Sequence, residues 1–219
     1  WVTDCSGSMS INGKIQSLNN AIKEAIPEMK KVATENPNAE LLVRALKFSD
    51  GAQWHMEDAV EVENFSWTDL EADGVTDLGE ALSLLADKLE FSQMTNRGLP
   101  PVIVLVSDGQ PTDDFEAGLE ELLSLPWGQK AVKIAIAIGD DADMEVLNKF
   151  IDNPELEPLK ANNSEELTAY IKWASTEVVK SASTGSSEEM SEESGNVALP
   201  AQPQPKSDAD DDSSDMDVF

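Results

Sequence analysis

The chain is poor in several residue types on which whole classes of protein depend. It has one cysteine (Cys5), one histidine (His55) and one tyrosine (Tyr170). A single cysteine excludes an intramolecular disulfide and suits a reducing compartment. His55 has no second histidine and no cysteine near it in sequence, so it reads as an exposed or edge-strand residue rather than a metal ligand. Basic residues are also scarce, with 15 Lys and Arg against 43 Asp and Glu and a net charge of −28. Such a surface repels phosphate backbones and anionic headgroups, which argues against nucleic acid or a membrane surface as partner. No apolar run approaches the ~20 residues that span a bilayer. No basic and apolar leader is visible either. The single cysteine, suited to a reducing compartment, makes a cytoplasmic location the expectation.

What is present suffices for one large domain and a tail. With 219 residues, 40% of them apolar, the chain can bury a substantial core. Residues 1–180 carry helical and strand periodicity. Residues 181–219 are rich in Ser, Glu, Pro and Asp and bring ten acids against one Lys. That composition cannot offset its ordering entropy, so 181–219 is expected to be a disordered acidic tail. Most of the negative charge nevertheless belongs to the body.

Within the body, apolar residues at Ile15, Leu18, Ile22, Ala25, Ile26, Met29 and Val32 recur at three and four, as on a helix with one buried face, and Pro27 is expected to kink it. Ala39 to Phe48 reads as a strand. Gly51 to Ala59 reads as a shorter antiparallel return on the sheet edge. Glu61 to Gly74 is irregular. Leu78 to Leu89 and Phe115 to Leu122 read as helices. Val102 to Val106, a continuous apolar run, reads as a parallel strand covered on both faces. Val132 to Ile138 and Glu157 to Ala161 complete the strands, and Asn163 or Ser164 opens a last helix through Val178. Strands alternating with helices predict a doubly wound, mostly parallel six-stranded α/β sheet with one antiparallel edge strand. A central parallel strand is about 5 residues long, so Trp1-Val2-Thr3 is expected to be the stump of a strand that begins upstream.

Chemistry concentrates in three stretches. Asp4, Ser6 and Ser8 alternate after that first strand, and alternate residues of an extended chain present their oxygens to one side. Three hard oxygens in that arrangement suit a small divalent cation, although the pattern also serves a helix-capping turn. Thr76 follows Gly74-Val75 just before a helix, and Asp108 follows Ser107 just after a strand. Both positions fall where open α/β sheets keep their ligand crevice, at the carboxyl ends of strands. Asp113 or Asp114 reads as the cap of the helix that follows. Cys5 reads as a small residue filling the loop.

With these motifs in place the chain resembles the von Willebrand factor A domain family and its metal-ion-dependent adhesion site. Asp4, Ser6 and Ser8 match the first loop of that site, Thr76 the second and Asp108 the third. Val75 stands where such domains usually carry a second glycine. Three further stretches resemble the TerY-type members found in bacterial tellurite-resistance clusters: Ser107-Asp108-Gly109-Gln110-Pro111-Thr112-Asp113-Asp114, Ile138-Gly139-Asp140-Asp141-Ala142-Asp143 and Ile171-Lys172-Trp173-Ala174-Ser175.

The resemblance implies a Mg²⁺ or Mn²⁺ site in which Ser6, Ser8 and Thr76 coordinate directly while Asp4 and Asp108 act mainly through water. It implies a protein partner that supplies an Asp or Glu carboxylate to the metal. Kinase or phosphatase partners within a stress-response module follow from the TerY likeness. Other roles stay open: a general intracellular adaptor serving an ATPase or another assembly, and a cell-surface adhesion protein. Phosphoryl-transfer hydrolases also place an Asp at the end of a first strand beside Mg²⁺. They want a second acid and a Lys close by, whereas the neighbours here are Ser6 and Ser8, so no enzymatic activity is expected.

Overall fold

The computed structural model describes residues 1–35, 40–90, 99–184 and 199–203. Six strands form one sheet: β1 (Val2–Asp4), β2 (Leu42–Ser49), β3 (Gly51–Glu61), β4 (Val102–Ser107), β5 (Val132–Ile138) and β6 (Leu159–Ala161). Their order is β3-β2-β1-β4-β5-β6. All neighbours run parallel except β2 and β3, which form an antiparallel hairpin at one edge. Gly51 turns that hairpin at φ +77°, a conformation open to glycine at little cost. At 11 residues β3 is longer than its partner β2, not shorter as its sequence suggests, and irregular pairing around Ala45 absorbs the mismatch.

Seven helices complete the described fold: α1 (Lys14–Glu35), α2 (Leu78–Leu89), α3 (Phe115–Ser124), α4 (Pro126–Lys130), α5 (Met144–Ile151), α6 (Ser164–Trp173) and α7 (Val179–Thr184). A π-helical turn over Ala174–Val178 joins the last two. Pro27 lies inside α1 without ending it. The boundary expected at residue 180 falls within α7. Residues 185–198 and 204–219 lie outside the described residues.

The continuous apolar strands are explained by helices on both faces. Val104, Val106, Ile134, Ile136 and Ile138 point to the side covered by α1 and α6. Leu46, Phe48, Leu105, Ala135 and Ala137 point to the side covered by α2, α3 and α5. Phe48, Phe65 and Phe150 are almost fully buried, and each such side chain stabilises the fold by about 1.5–3 kcal/mol. Leu199 packs against the first of these cores. No helix among the described residues is long and apolar enough to cross a membrane.

Strand order sets the location of the site. The chain moves outward from β1 to β2 and β3, then returns to place β4 on the other side of β1. The connections therefore part between β1 and β4, which opens a crevice at their carboxyl ends. Asp4 and Ser107 end those two strands.

Candidate metal centre

Asp4 terminates β1 with no solvent exposure. Its Oδ1 accepts the Ser6 N–H at 2.8 Å, and its Oδ2 accepts the Ser107 hydroxyl at 2.5 Å. The first bond folds the chain back after the strand, and the second ties that turn to β4. Burial pushes the Asp4 carboxyl above its ordinary pKa, opposed by the hydrogen bonds from Ser107 and Ser6.

The turn sets the hydroxyls side by side. Ser6 Oγ lies 2.9 Å from Ser8 Oγ, and Ser8 Oγ donates to Asp108 Oδ1 at 2.7 Å. The wholly buried Met9 anchors the loop. Cys5 is also buried: its N–H bonds Phe48 O at 2.8 Å, and burial pushes its thiol pKa up to about 12, with Asp4 adding to the shift.

Thr76 comes from the long segment after β3, which has little regular structure yet is firmly held. Phe65, Trp67 and Leu70 from this segment are buried. Asn19 on α1 fastens it: Oδ1 accepts from Trp67 Nε1 and Leu70 N, both at 2.9 Å, and Nδ2 donates to Leu70 O at 2.9 Å. Further along, Asp73 N bonds Cys5 O at 2.8 Å and Gly7 N bonds Gly74 O at 3.0 Å. Gly74 has φ +81°, and a Cβ there would overlap the Asp50 carboxylate, so a side chain is excluded twice over. Val75 is 45% exposed beside the site, its N–H on Asp50 Oδ1 at 3.0 Å.

The loop after β4 closes the arrangement. Thr76 N donates to Thr112 Oγ1 at 3.0 Å, and Thr112 N returns a bond to Thr76 O at 2.9 Å. The two acids read as caps divide the work. Asp114 accepts from Ala117 N in α3, whereas Asp113 accepts from Gly79 and Glu80 at the start of α2.

Lys14 is absent from the set read in the sequence. At the start of α1 its side chain is only 3% exposed, with Nζ 2.7 Å from Asp108 Oδ2 and 3.0 Å from Asp141 Oδ1. Burial lowers its pKa, but the hydrogen bonds and charges of Asp108 and Asp141 outweigh this and raise it overall. Gly139, at φ +83°, makes the room, since a Cβ there would stand 3.3 Å from Lys14 Nζ. Asp108 thus has one oxygen on Ser8 and the other on Lys14. Asp141 reaches the same ammonium from outside, with its own side chain 61% exposed.

All five residues selected from sequence thus lie in one crevice. No group of three or more His, Cys, Asp or Glu among the described residues could hold a metal, so any metal here would depend on hydroxyl oxygens. The cradle suits such an ion. A Cβ placed on Gly109 would fall 3.5 Å from Thr76 Oγ1 and 3.8 Å from Ser8 Oγ, so the missing side chain leaves open the space shared by those hydroxyls. Hard neutral oxygens backed by carboxylates suit a small divalent cation. His55 plays no part here; its Nε2 lies 3.0 Å from Thr68 O and its ring packs on Trp67.

A doubly wound sheet with hydroxyls and carboxylates gathered at its switch point defines a class of α/β ligand-binding domain. The von Willebrand factor type A domain model matches residues 1–172, and the chain belongs to that family. No curated protein matches the sequence. Solved structures agree on the fold. Proximal thread matrix protein 1 from the mussel byssus, solved with a zinc-occupied adhesion-site motif, aligns at TM-score 0.59 and 18% identity over 79% of this chain and 46% of its own. The ArnB paralog VWA2 from Sulfolobus acidocaldarius aligns at TM-score 0.57 and 18% identity over 78% of this chain and 42% of its own. BatB from Bacteroides thetaiotaomicron aligns at TM-score 0.53 and 12% identity over 83% and 96%. The chain spans less than half the length of the mussel and Sulfolobus proteins. Domains of this family generally serve as metal-dependent protein-interaction modules.

Proposed function

We propose that this domain binds a protein partner through a divalent cation, Mg²⁺ or Mn²⁺, held by Ser6, Ser8 and Thr76, with Asp4 and Asp108 behind them. The observation that carries this reading is the engagement of both carboxylates. Each Asp4 oxygen already accepts a hydrogen bond, as does each Asp108 oxygen. Both acids therefore act around the cation, and neutral hydroxyls meet it directly. When bound, the cation supplies a position for an outside oxygen ligand, and a carboxylate of the partner suits it best.

The surroundings favour a protein ligand. Ile11 and Val75 are 54% and 45% exposed on the two loops that supply Ser8 and Thr76. Aliphatic side chains beside a charged anchor are what a partner's surface can cover. The same geometry speaks against catalysis. Asp4 is buried with a hydrogen bond on each oxygen, and the Lys14 ammonium is turned onto Asp108 and Asp141, an arrangement that favours a binding role over a nucleophilic one.

The motifs shared with TerY-type proteins support a place in a tellurite-resistance or related stress-response module, with kinase or phosphatase partners and a cytoplasmic location. Capture of partners from cell extract on immobilised wild type and Thr76→Ala tests the reading. A band retained with Mg²⁺, released by chelator and missing from Thr76→Ala is expected. Identical capture under all conditions would reject it.

A further inference from the structure

We infer that Lys14 sets the balance between cation and acidic ligand at this crevice, weakening the bare cation and strengthening the carboxylate that joins it. The inference rests on the metal-binding reading above and adds a residue outside the set of oxygen ligands. Lys14 brings a positive charge that nothing in the D-x-S-x-S pattern requires, and the fold builds a place for it. Its ammonium is 2.7 Å from Asp108 Oδ2, the side chains are 3% and 0% exposed, and Gly139 at φ +83° clears the space around Nζ.

Charge balance gives the consequence. Asp4 and Asp108 with a divalent cation alone would make a neutral site. Lys14 adds one positive charge on the buried side, which the exposed, solvent-screened Asp141 offsets only in part. Asp108 alone separates the ammonium from the hydroxyl set, because its Oδ1 accepts from Ser8 at 2.7 Å. A nearby charge moves a neighbouring ionic equilibrium by roughly one to three powers of ten. Lys14 therefore weakens binding of the bare cation. A carboxylate arriving on the cation is attracted by the same charge, so Lys14 strengthens the acidic ligand where it weakens the bare cation. Asp141 tempers the effect from the exposed side, 3.0 Å from the same ammonium. The ligand class favoured is a monoanionic carboxylate.

Removing Lys14 and removing Asp141 should act in opposite directions. The test measures Mn²⁺ affinity of the full chain by electron paramagnetic resonance of free Mn²⁺, with and without acetate as the carboxylate probe, in wild type, Lys14→Met and Asp141→Asn. Expected is a Lys14→Met chain that binds Mn²⁺ about ten-fold or more tightly and loses most of the acetate enhancement. Asp141→Asn should bind Mn²⁺ several-fold more weakly and show a larger acetate enhancement. Equal affinities, or variants that shift in the same direction, would overturn the inference while leaving the metal site standing. Mn²⁺ binding missing from all three would remove the metal reading and this inference with it. If Lys14→Met does not fold, Asp141→Asn decides alone, since its side chain is on the surface: weaker binding supports the inference and unchanged binding overturns it.

Discussion

Asp113 Oδ1 accepts the backbone N–H of Gly79 at 2.9 Å, and Oδ2 accepts that of Glu80 at 2.8 Å. An acid in the loop after β4 thus caps α2 through a residue 34 positions earlier in the chain. Because Thr76 sits just before that helix, the cap also fixes the second site loop to the third. Asp113→Ala is predicted to leave two first-turn donors without an acceptor, costing about 1–2 kcal/mol. Urea unfolding should show the midpoint fall. Asp113→Asn, which keeps one acceptor oxygen, should recover part of the loss.

Asn19 holds the Thr76 segment from the other side. It is 5% exposed and makes three hydrogen bonds to Trp67 and Leu70. Replacing it with Ala leaves buried donors and an acceptor unmet, a cost of about 2–4 kcal/mol. Denaturant unfolding measures the loss. Trp67 fluorescence should shift toward that of a more exposed indole before the global transition.

Cys5 should be inert in the native protein. The thiol is buried, and its pKa is pushed up to about 12, whereas the reactive species is the thiolate. Labelling with a thiol reagent at pH 8 should proceed only in denaturant. Labelling of the folded chain at the rate of a free thiol would contradict this packing.

Lys133 carries an avoidable cost. It is 5% exposed on β5, in a cleft shared with Asp152 and Leu199 at the far end of the sheet from the metal centre. Burial lowers its pKa, and Asp152 only partly opposes the shift. A lysine whose folded pKa lies below its unfolded value destabilises the fold while it is charged. The penalty is full below the folded pKa and fades as pH rises towards the unfolded value. Lys133→Met should therefore raise the melting temperature near neutral pH, with the gain shrinking as pH rises towards that of an ordinary lysine. A gain that does not depend on pH would assign the effect to packing alone.

The fold could be read from the sequence because its signals are local. Apolar residues at three and four mark α1, and an unbroken Val-Ile-Leu run marks β4. The short interval at Gly51 marks the antiparallel edge. The nearness of the five candidate residues could be expected from sequence because each follows a strand end or precedes a helix in a short motif. Lys14 was not, since it is one more residue at the start of a helical stripe, and only the packing of α1 under Gly139 turns it onto Asp108. The segment from Glu61 to Gly74 looked irregular and acidic. Its order comes from distant groups, chiefly the side chain of Asn19, and from Phe65, Trp67 and Leu70, whose spacing matches neither helix nor strand. Asp113 or Asp114 read as the cap of the helix that follows; Asp114 serves that helix, while Asp113 caps the one that precedes it in sequence.

The central claim is that Ser6, Ser8 and Thr76 form a cation site backed by Asp4 and Asp108. Calorimetric titration of Mg²⁺ and Mn²⁺ into the wild-type chain and an Asp4→Ala, Ser6→Ala double variant, each with acetate present to fill the open position, tests it most directly. The account predicts one ion bound per wild-type chain and none in the variant, with both chains folded by circular dichroism. Equal binding to both, or no binding to the wild type, would contradict it.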